Sequence, residues 1–119
     1  MFDIAIVGSG PAGISAAINC KIRNKSFILF GQKQLSHKVE ISENINNYPG
    51  LPNITGAELN KKMHEHLDSL GIEITEEQIT GIYKMKDKFT LLANQKMFEA
   101  KTVILCLGAE TIKPLPNER

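Results

Sequence analysis

Val7-Gly8-Ser9-Gly10-Pro11-Ala12-Gly13 lies close to the start of the chain and decides its reading. An apolar run, Phe2 to Val7, leads into these glycines, and a helix-like run, Ile14 to Ile22, leaves them. A G-x-G-x-x-G pattern between a strand and a helix is the arrangement that binds a dinucleotide diphosphate. Gly8 lets the chain turn tightly after the strand. Gly10 lacks a Cβ, so an anion can approach the backbone, and Gly13 lets the helix pack close to the strand. Pro11 suits the first helical position, where a backbone N–H would be unpaired in any case. The free N–H groups and the positive end of that helix then face the anion. The same residues could instead form a plain turn that holds no ligand.

Working outward, Phe2-Asp3-Ile4-Ala5-Ile6-Val7 is apolar almost throughout, as a central parallel strand covered on both faces requires. Ile14, Ala17, Ile18 and Ile22 recur at helical spacing. Ser26 to Phe30 reads as a second parallel strand, stopped by Gly31, which completes a βαβ start. A nicotinamide-binding domain carries an Asp or Glu just after that strand to hold the adenosine ribose. Here the residues are Phe30, Gly31, Gln32 and Lys33, with no carboxylate.

Residues 31–55 read as a long irregular segment, a length that often carries function. Thr55-Gly56-Ala57-Glu58 is a capping box, and the helix it opens runs to Leu70, with Leu59, Met63, Leu67 and Leu70 on one face and Gly71 beyond its end. Ile72 to Ile74 reads as a short third strand. Three runs follow, Ile79 to Met85, Phe89 to Ala93 and Lys96 to Glu99, with turns at Asp87-Lys88 and Asn94-Gln95; these predict an antiparallel meander. Thr102 to Leu107 returns as a buried strand that ends at Gly108-Ala109. Ile112 to Arg119 reads as an extended linker.

The chain has 119 residues, 42% of them hydrophobic and 23% charged, with a net charge of +1. That is one domain or part of one. Nothing basic or aromatic enough for nucleic acid stands out, and no apolar run approaches the roughly 18 residues of a membrane span. With no signal peptide visible, the expected location is cytoplasmic. Cys20 and Cys106 form no Cys-x-x-Cys and read as free thiols. His64-Glu65-His66 lacks the i, i+4 histidine spacing of a zinc helix and reads as a solvated face; no metal site is expected.

The order of parts resembles the FAD-binding domain of flavoproteins with two dinucleotide-binding domains, and within them the low-molecular-weight thioredoxin reductases. The resemblance rests on Gly8 to Gly13, Asn47-Tyr48-Pro49-Gly50, Thr55-Gly56-Ala57-Glu58-Leu59 with Met63-His64-Glu65-His66, and Val103 to Ala109. It implies an α/β, Rossmann-like FAD/NAD(P)-binding fold, a parallel sheet flanked by helices and a small three-stranded meander. It also implies that Gly8, Ser9, Gly10, Pro11, Ala12 and Gly13 cradle the FAD pyrophosphate and that Phe30, Gly31 and Gln32 lie beside the adenosine. Asn47 would sit near the flavin, Ile79 would offer its backbone to the adenine, and Gly108 and Ala109 would pass close to the cofactor.

Two departures stand out. Cys106-Leu107 replaces the family's usual Ala-Thr, and the Gly-Gly-Gln-Leu stretch before the Asn-Tyr-Pro-Gly loop is missing, with only Gln34-Leu35 nearby. The resemblance implies a flavoenzyme that passes electrons through FAD to a cysteine disulfide and on to thioredoxin, with NADPH or ferredoxin as donor. The full-length family is usually homodimeric. Residues 1–112 would be the N-terminal part of the FAD-binding domain and 113–119 the hinge to a second domain carrying the Cys-x-x-Cys, so no catalytic residue is expected here. Three other readings remain: the FAD portion of another ferredoxin- or NADPH-linked oxidoreductase, a non-catalytic nucleotide-binding module, and an NAD-binding Rossmann protein. The missing carboxylate and the meander weigh against the last.

Overall fold

A computed structural model of the chain describes residues 1–33, 45 and 48–107. Among these residues, six strands form one sheet: β1 (Phe2–Val7), β2 (Phe27–Phe30), β3 (Ile74–Thr75), β4 (Gly81–Lys84), β5 (Phe89–Ala93) and β6 (Lys96–Leu105). Their order across the sheet is β3-β2-β1-β6-β5-β4. β3, β2, β1 and the second half of β6 run parallel, whereas β4, β5 and the first half of β6 run antiparallel.

Among the described residues, two helices, α1 (Pro11–Ile22) and α2 (Gly56–Ser69), cover one face. Ile6 and Leu29 point to that face and pack with Ile14, Ala17, Leu59 and Leu67 in one core. The opposite residues of the same strands, Ala5, Ile28 and Phe30, join Ile82, Leu91 and Phe98 of the meander in a second core. In a flat sheet β2 and β4 would lie four strand spacings apart, about 19 Å. Their shared core, and the Phe30 and Phe98 rings meeting edge to face at 4.9 Å, show that the meander folds back over the second face. This is why β1 and β2 are apolar on both sides.

Both helices end in the same hydrogen-bonded loop. After α1, Lys25 N–H donates to the Cys20 carbonyl and Asn24 N–H to that of Lys21, with Asn24 left-handed at φ 56°. After α2, Ile72 N–H donates to the Leu67 carbonyl and Gly71 N–H to that of Asp68. These are paired 6→1 and 5→2 bonds that satisfy the last carbonyls. They also correct the expected third strand. Ile72 is engaged in closing α2, so the strand is Ile74–Thr75.

The runs expected as the third meander strand and the separate, buried return strand are one strand, β6, paired first with β5 and then with β1, and its end is not buried: Ile104 and Leu105 are exposed. The second strand begins at Phe27, because Ser26 is held by Asp3: the Asp3 carboxylate accepts from the Ser26 N–H at 3.1 Å, and Asp3 N–H donates to Ser26 Oγ at 2.8 Å. Among the described residues, no helix is long and apolar enough to cross a membrane.

Candidate functional site

The carboxyl ends of the parallel strands carry the site. Cys106 N–H donates to the Val7 carbonyl (2.7 Å), Gly8 N–H to that of Phe30 (2.8 Å), and Gly31 N–H to that of Thr75 (3.1 Å). The ends of β6, β1, β2 and β3 are thus laced together where α1 begins. An open parallel sheet binds ligands at this edge, in the crevice outside the strand ends.

The glycines of the first turn have different jobs. Gly8 has φ +115°, and a Cβ there would overlap the Cys106 carbonyl. A Cβ on Gly13 would overlap the Gly8 carbonyl, so this residue sets the distance between α1 and β1. A Cβ on Gly31 would overlap the Ser9 side chain. Gly10 differs: among the described residues, a Cβ built there meets nothing within 4 Å. The packing of the described residues therefore does not require glycine at position 10, and they leave the space in front of its backbone open.

Gly10 is also the N-cap of α1, with Pro11 at the first turn, no side-chain cap and no acidic residue there. Ile14 N–H takes the Gly10 carbonyl at 2.9 Å and starts the helical ladder. The N–H groups of Ala12 and Gly13 precede it and have no helical acceptor. Open backbone, free donors and the positive helix end fit a diphosphate.

Ser9 fixes this turn to β2. Its Oγ donates to the Gln32 carbonyl at 2.8 Å and accepts from the Gln32 N–H at 2.9 Å. The structure therefore brings Gly8 to Gly13 together with Phe30, Gly31 and Gln32. Phe30 is buried in the second core and Gln32 is exposed. Ile79, just before β4, packs against that same core. Asn47, Gly108 and Ala109 lie outside the described residues.

Sequence reasoning missed two participants. One is the Cys106 backbone, which abuts Gly8. The other is Glu76, beyond β3, whose Oε2 accepts from Lys33 N–H at 3.4 Å and whose Oε1 lies 3.9 Å from Lys33 Nζ. The strand register that brings it there is not written in local sequence.

Other candidate groups stand apart. Cys20 and Cys106 are free, and burial pushes both thiols up, away from the thiolate form. His64 Nδ1 lies 2.9 Å from the Asn60 carbonyl, within its own helix, and His66 is exposed. Among the described residues, no three His, Cys, Asp or Glu gather as metal ligands would.

A glycine turn at the carboxyl edge of a parallel sheet, opening a bare helix N-terminus, defines a Rossmann-like dinucleotide-binding domain. The family model for pyridine nucleotide-disulphide oxidoreductases matches residues 2–118, and the chain belongs to that family. It is similar to the thioredoxin reductase of Bacillus subtilis, at 32% identity over 120 residues that take in all of this chain and 38% of that protein.

Among solved structures, it is similar to a ferredoxin-flavin thioredoxin reductase from Clostridium acetobutylicum, with TM-score 0.89 and 52% identity over 96% of this chain and 40% of that one. The Lactococcus lactis thioredoxin reductase superposes with TM-score 0.83 and 33% identity, covering 95% of this chain and 37% of that one. The chain thus spans well under half the length of these relatives. Its mixed sheet with helices is the Rossmann-like fold of the thioredoxin reductase structures.

Proposed function

We propose that this chain is the FAD-binding part of a thioredoxin-reductase-like flavoenzyme. The observation that carries the reading is Gly10, which the described residues leave open beside a helix start to which they give no side-chain cap. In this reading the N–H groups of Ala12 and Gly13 hold the diphosphate, and Gly8, Ser9 and Pro11 shape the turn around it. Phe30, Gly31 and Gln32 flank the adenosine, and Ile79 offers its backbone to the adenine. Asn47 would contact the flavin end, and Gly108 and Ala109 would contact the cofactor. The cofactor, when bound, supplies electron transfer to a cysteine disulfide; the protein supplies position and electrostatics.

Residues 1–112 are the binding unit and 113–119 lead to a second domain that bears the disulfide. Thioredoxin is the final acceptor, the full-length enzyme is a homodimer, and its place is the cytoplasm. For the electron donor, the 52% identity to the Clostridium acetobutylicum ferredoxin-flavin enzyme supports ferredoxin over NADPH. The 33% identity to the Lactococcus lactis thioredoxin reductase is lower over a similar stretch.

The test is to purify the natural full-length protein, release its cofactor with acid and identify it by chromatography. FAD is expected; FMN, or no flavin after reconstitution, removes the reading. Reduction of the flavin by reduced ferredoxin but not by NADPH is the expected donor result, and the reverse result assigns NADPH.

A further inference from the structure

The described residues directly after β2, Gly31 to Lys33, contain no acid to meet the adenosine ribose, yet the structure brings a carboxylate to that place from the end of the neighbouring strand. β3 pairs with β2 in the register Leu29↔Ile74 and Phe30↔Thr75. The Thr75 carbonyl accepts from Gly31 N–H at 3.1 Å and from Glu77 N–H at 2.9 Å, so the chain turns at Glu76 next to the end of β2, where the ribose-binding acid of a dinucleotide fold is expected. Its carboxylate is anchored toward β2 by the Lys33 N–H at 3.4 Å and the Lys33 ammonium at 3.9 Å. These are long contacts, and the side chain is 53% exposed, so its oxygens keep lone pairs for a further donor.

The nearby acids are not equivalent. Glu77 is committed to Lys96, with Oε1 2.6 Å from Nζ, and Glu73 lies at the opposite end of β3. Glu76 is also joined to the phosphate turn through consecutive contacts: Ser9 holds the Gln32 backbone, and the adjacent Lys33 holds Glu76. A nucleotide with its diphosphate at Gly10 places its adenosine over the end of β2, within this set.

We propose that Glu76 accepts a hydrogen bond from the adenosine ribose hydroxyls, so that the ribose acid of this site comes from β3 rather than β2. The inference rests on the dinucleotide-binding reading above. It assigns to Glu76 a specificity for the free 2′-hydroxyl, with Lys33 positioning the carboxylate.

The probes are ADP and 2′-deoxy-ADP, each titrated in competition with FAD on the full-length apoprotein. The intact protein should prefer ADP by about tenfold, as one hydrogen bond to a charged group gives. Glu76→Ala, an exposed position, should bring the ratio close to one, and Glu77→Ala should leave it unchanged. The proposal is overturned if the intact protein shows no preference, or if Glu76→Ala keeps the preference. It is also overturned if Glu76→Ala weakens both nucleotides equally, which would make Glu76 only a loop anchor. An intact protein that binds neither FAD nor ADP is a separate result, which removes the dinucleotide reading and this inference with it.

Discussion

Helices α1 and α2 begin in opposite ways. At α2, Thr55 Oγ1 accepts from Glu58 N–H at 3.1 Å and donates to Glu58 Oε1 at 2.9 Å, and an acidic side chain sits in the first turn. At α1, the cap is a glycine, the first turn holds no acid, and among the described residues no side chain closes the end. Both helices pack into the same core, so burial does not separate them. What differs is which partner satisfies the first donors. α2 supplies its own, whereas among the described residues no side chain serves α1, and the proposed diphosphate would take that place. A bare helix start costs stability. In the proposed reading, this start beside Gly10 separates the part of the molecule shaped for a ligand from the part shaped for folding.

The comparison can be broken at four points. The largest expected effect is at Gly13, whose Cβ would meet the Gly8 backbone, which cannot move aside like a flexible side chain. Gly13→Ala should cost about 3 kcal/mol of stability through overpacking. Urea unfolding measures this, and an unshifted midpoint would mean that α1 and β1 are not in fixed contact. Gly10→Val tests the open side. Its flavin affinity should fall about 100-fold with the loss of charge-assisted donors, while stability drops by only about 1 kcal/mol. Equal flavin affinity in that variant would remove the anion role of the turn. Gly10→Asp sharpens the contrast. It should cap α1 and raise stability by about 0.5 kcal/mol, yet weaken flavin binding by repulsion.

Thr55→Ala should do the reverse at α2, lowering stability by about 1 kcal/mol with flavin affinity unchanged. The smallest effect concerns Asp3. The Ser26 backbone N–H, then the Ser26 hydroxyl, and nearby Lys101 hold its carboxyl below the ordinary aspartate value. A depressed folded-state pKa gives stability that is present above the unfolded value of about 3.9 and is lost as pH falls through the lower folded value. Asp3→Asn should therefore flatten the acid limb of stability against pH below about 4. An unchanged acid limb would remove Asp3 from that account.

Local chemistry made much of this legible in the sequence. The glycine turn, the capping box at Thr55, the start of α1 at Pro11 and the turn at Asn94-Gln95 are each encoded within a few residues. The double apolar character of β1 correctly implied cover on both faces, although only the structure shows that the meander provides the second cover. What needed register was not legible. Residues 96–99 and 102–107 read as two strands because a strand that changes partners partway carries no mark of continuity in its composition. Glu76 was invisible for the same reason: its importance depends on Leu29 facing Ile74, a pairing between residues far apart in sequence. The Ser9–Gln32 bracket likewise joins two loops that only the folded sheet brings together.

The pairing of β1 with β6 also sets a timetable for synthesis. Phe2 pairs with Ala100 and Val7 with Leu105, and Thr102 Oγ1 donates to the Asp3 carbonyl at 2.9 Å. The strand made first is flanked on one side by nearly the last described stretch to be made. At ordinary translation speeds the gap is on the order of ten seconds. Through that interval β1 has β2 beside it but an open, apolar edge on its other side. A nascent chain in this state is exposed to mispairing, and non-local contacts of this span close slowly. The ribosome-bound intermediate, rather than the finished domain, is therefore where a chaperone would have most to protect.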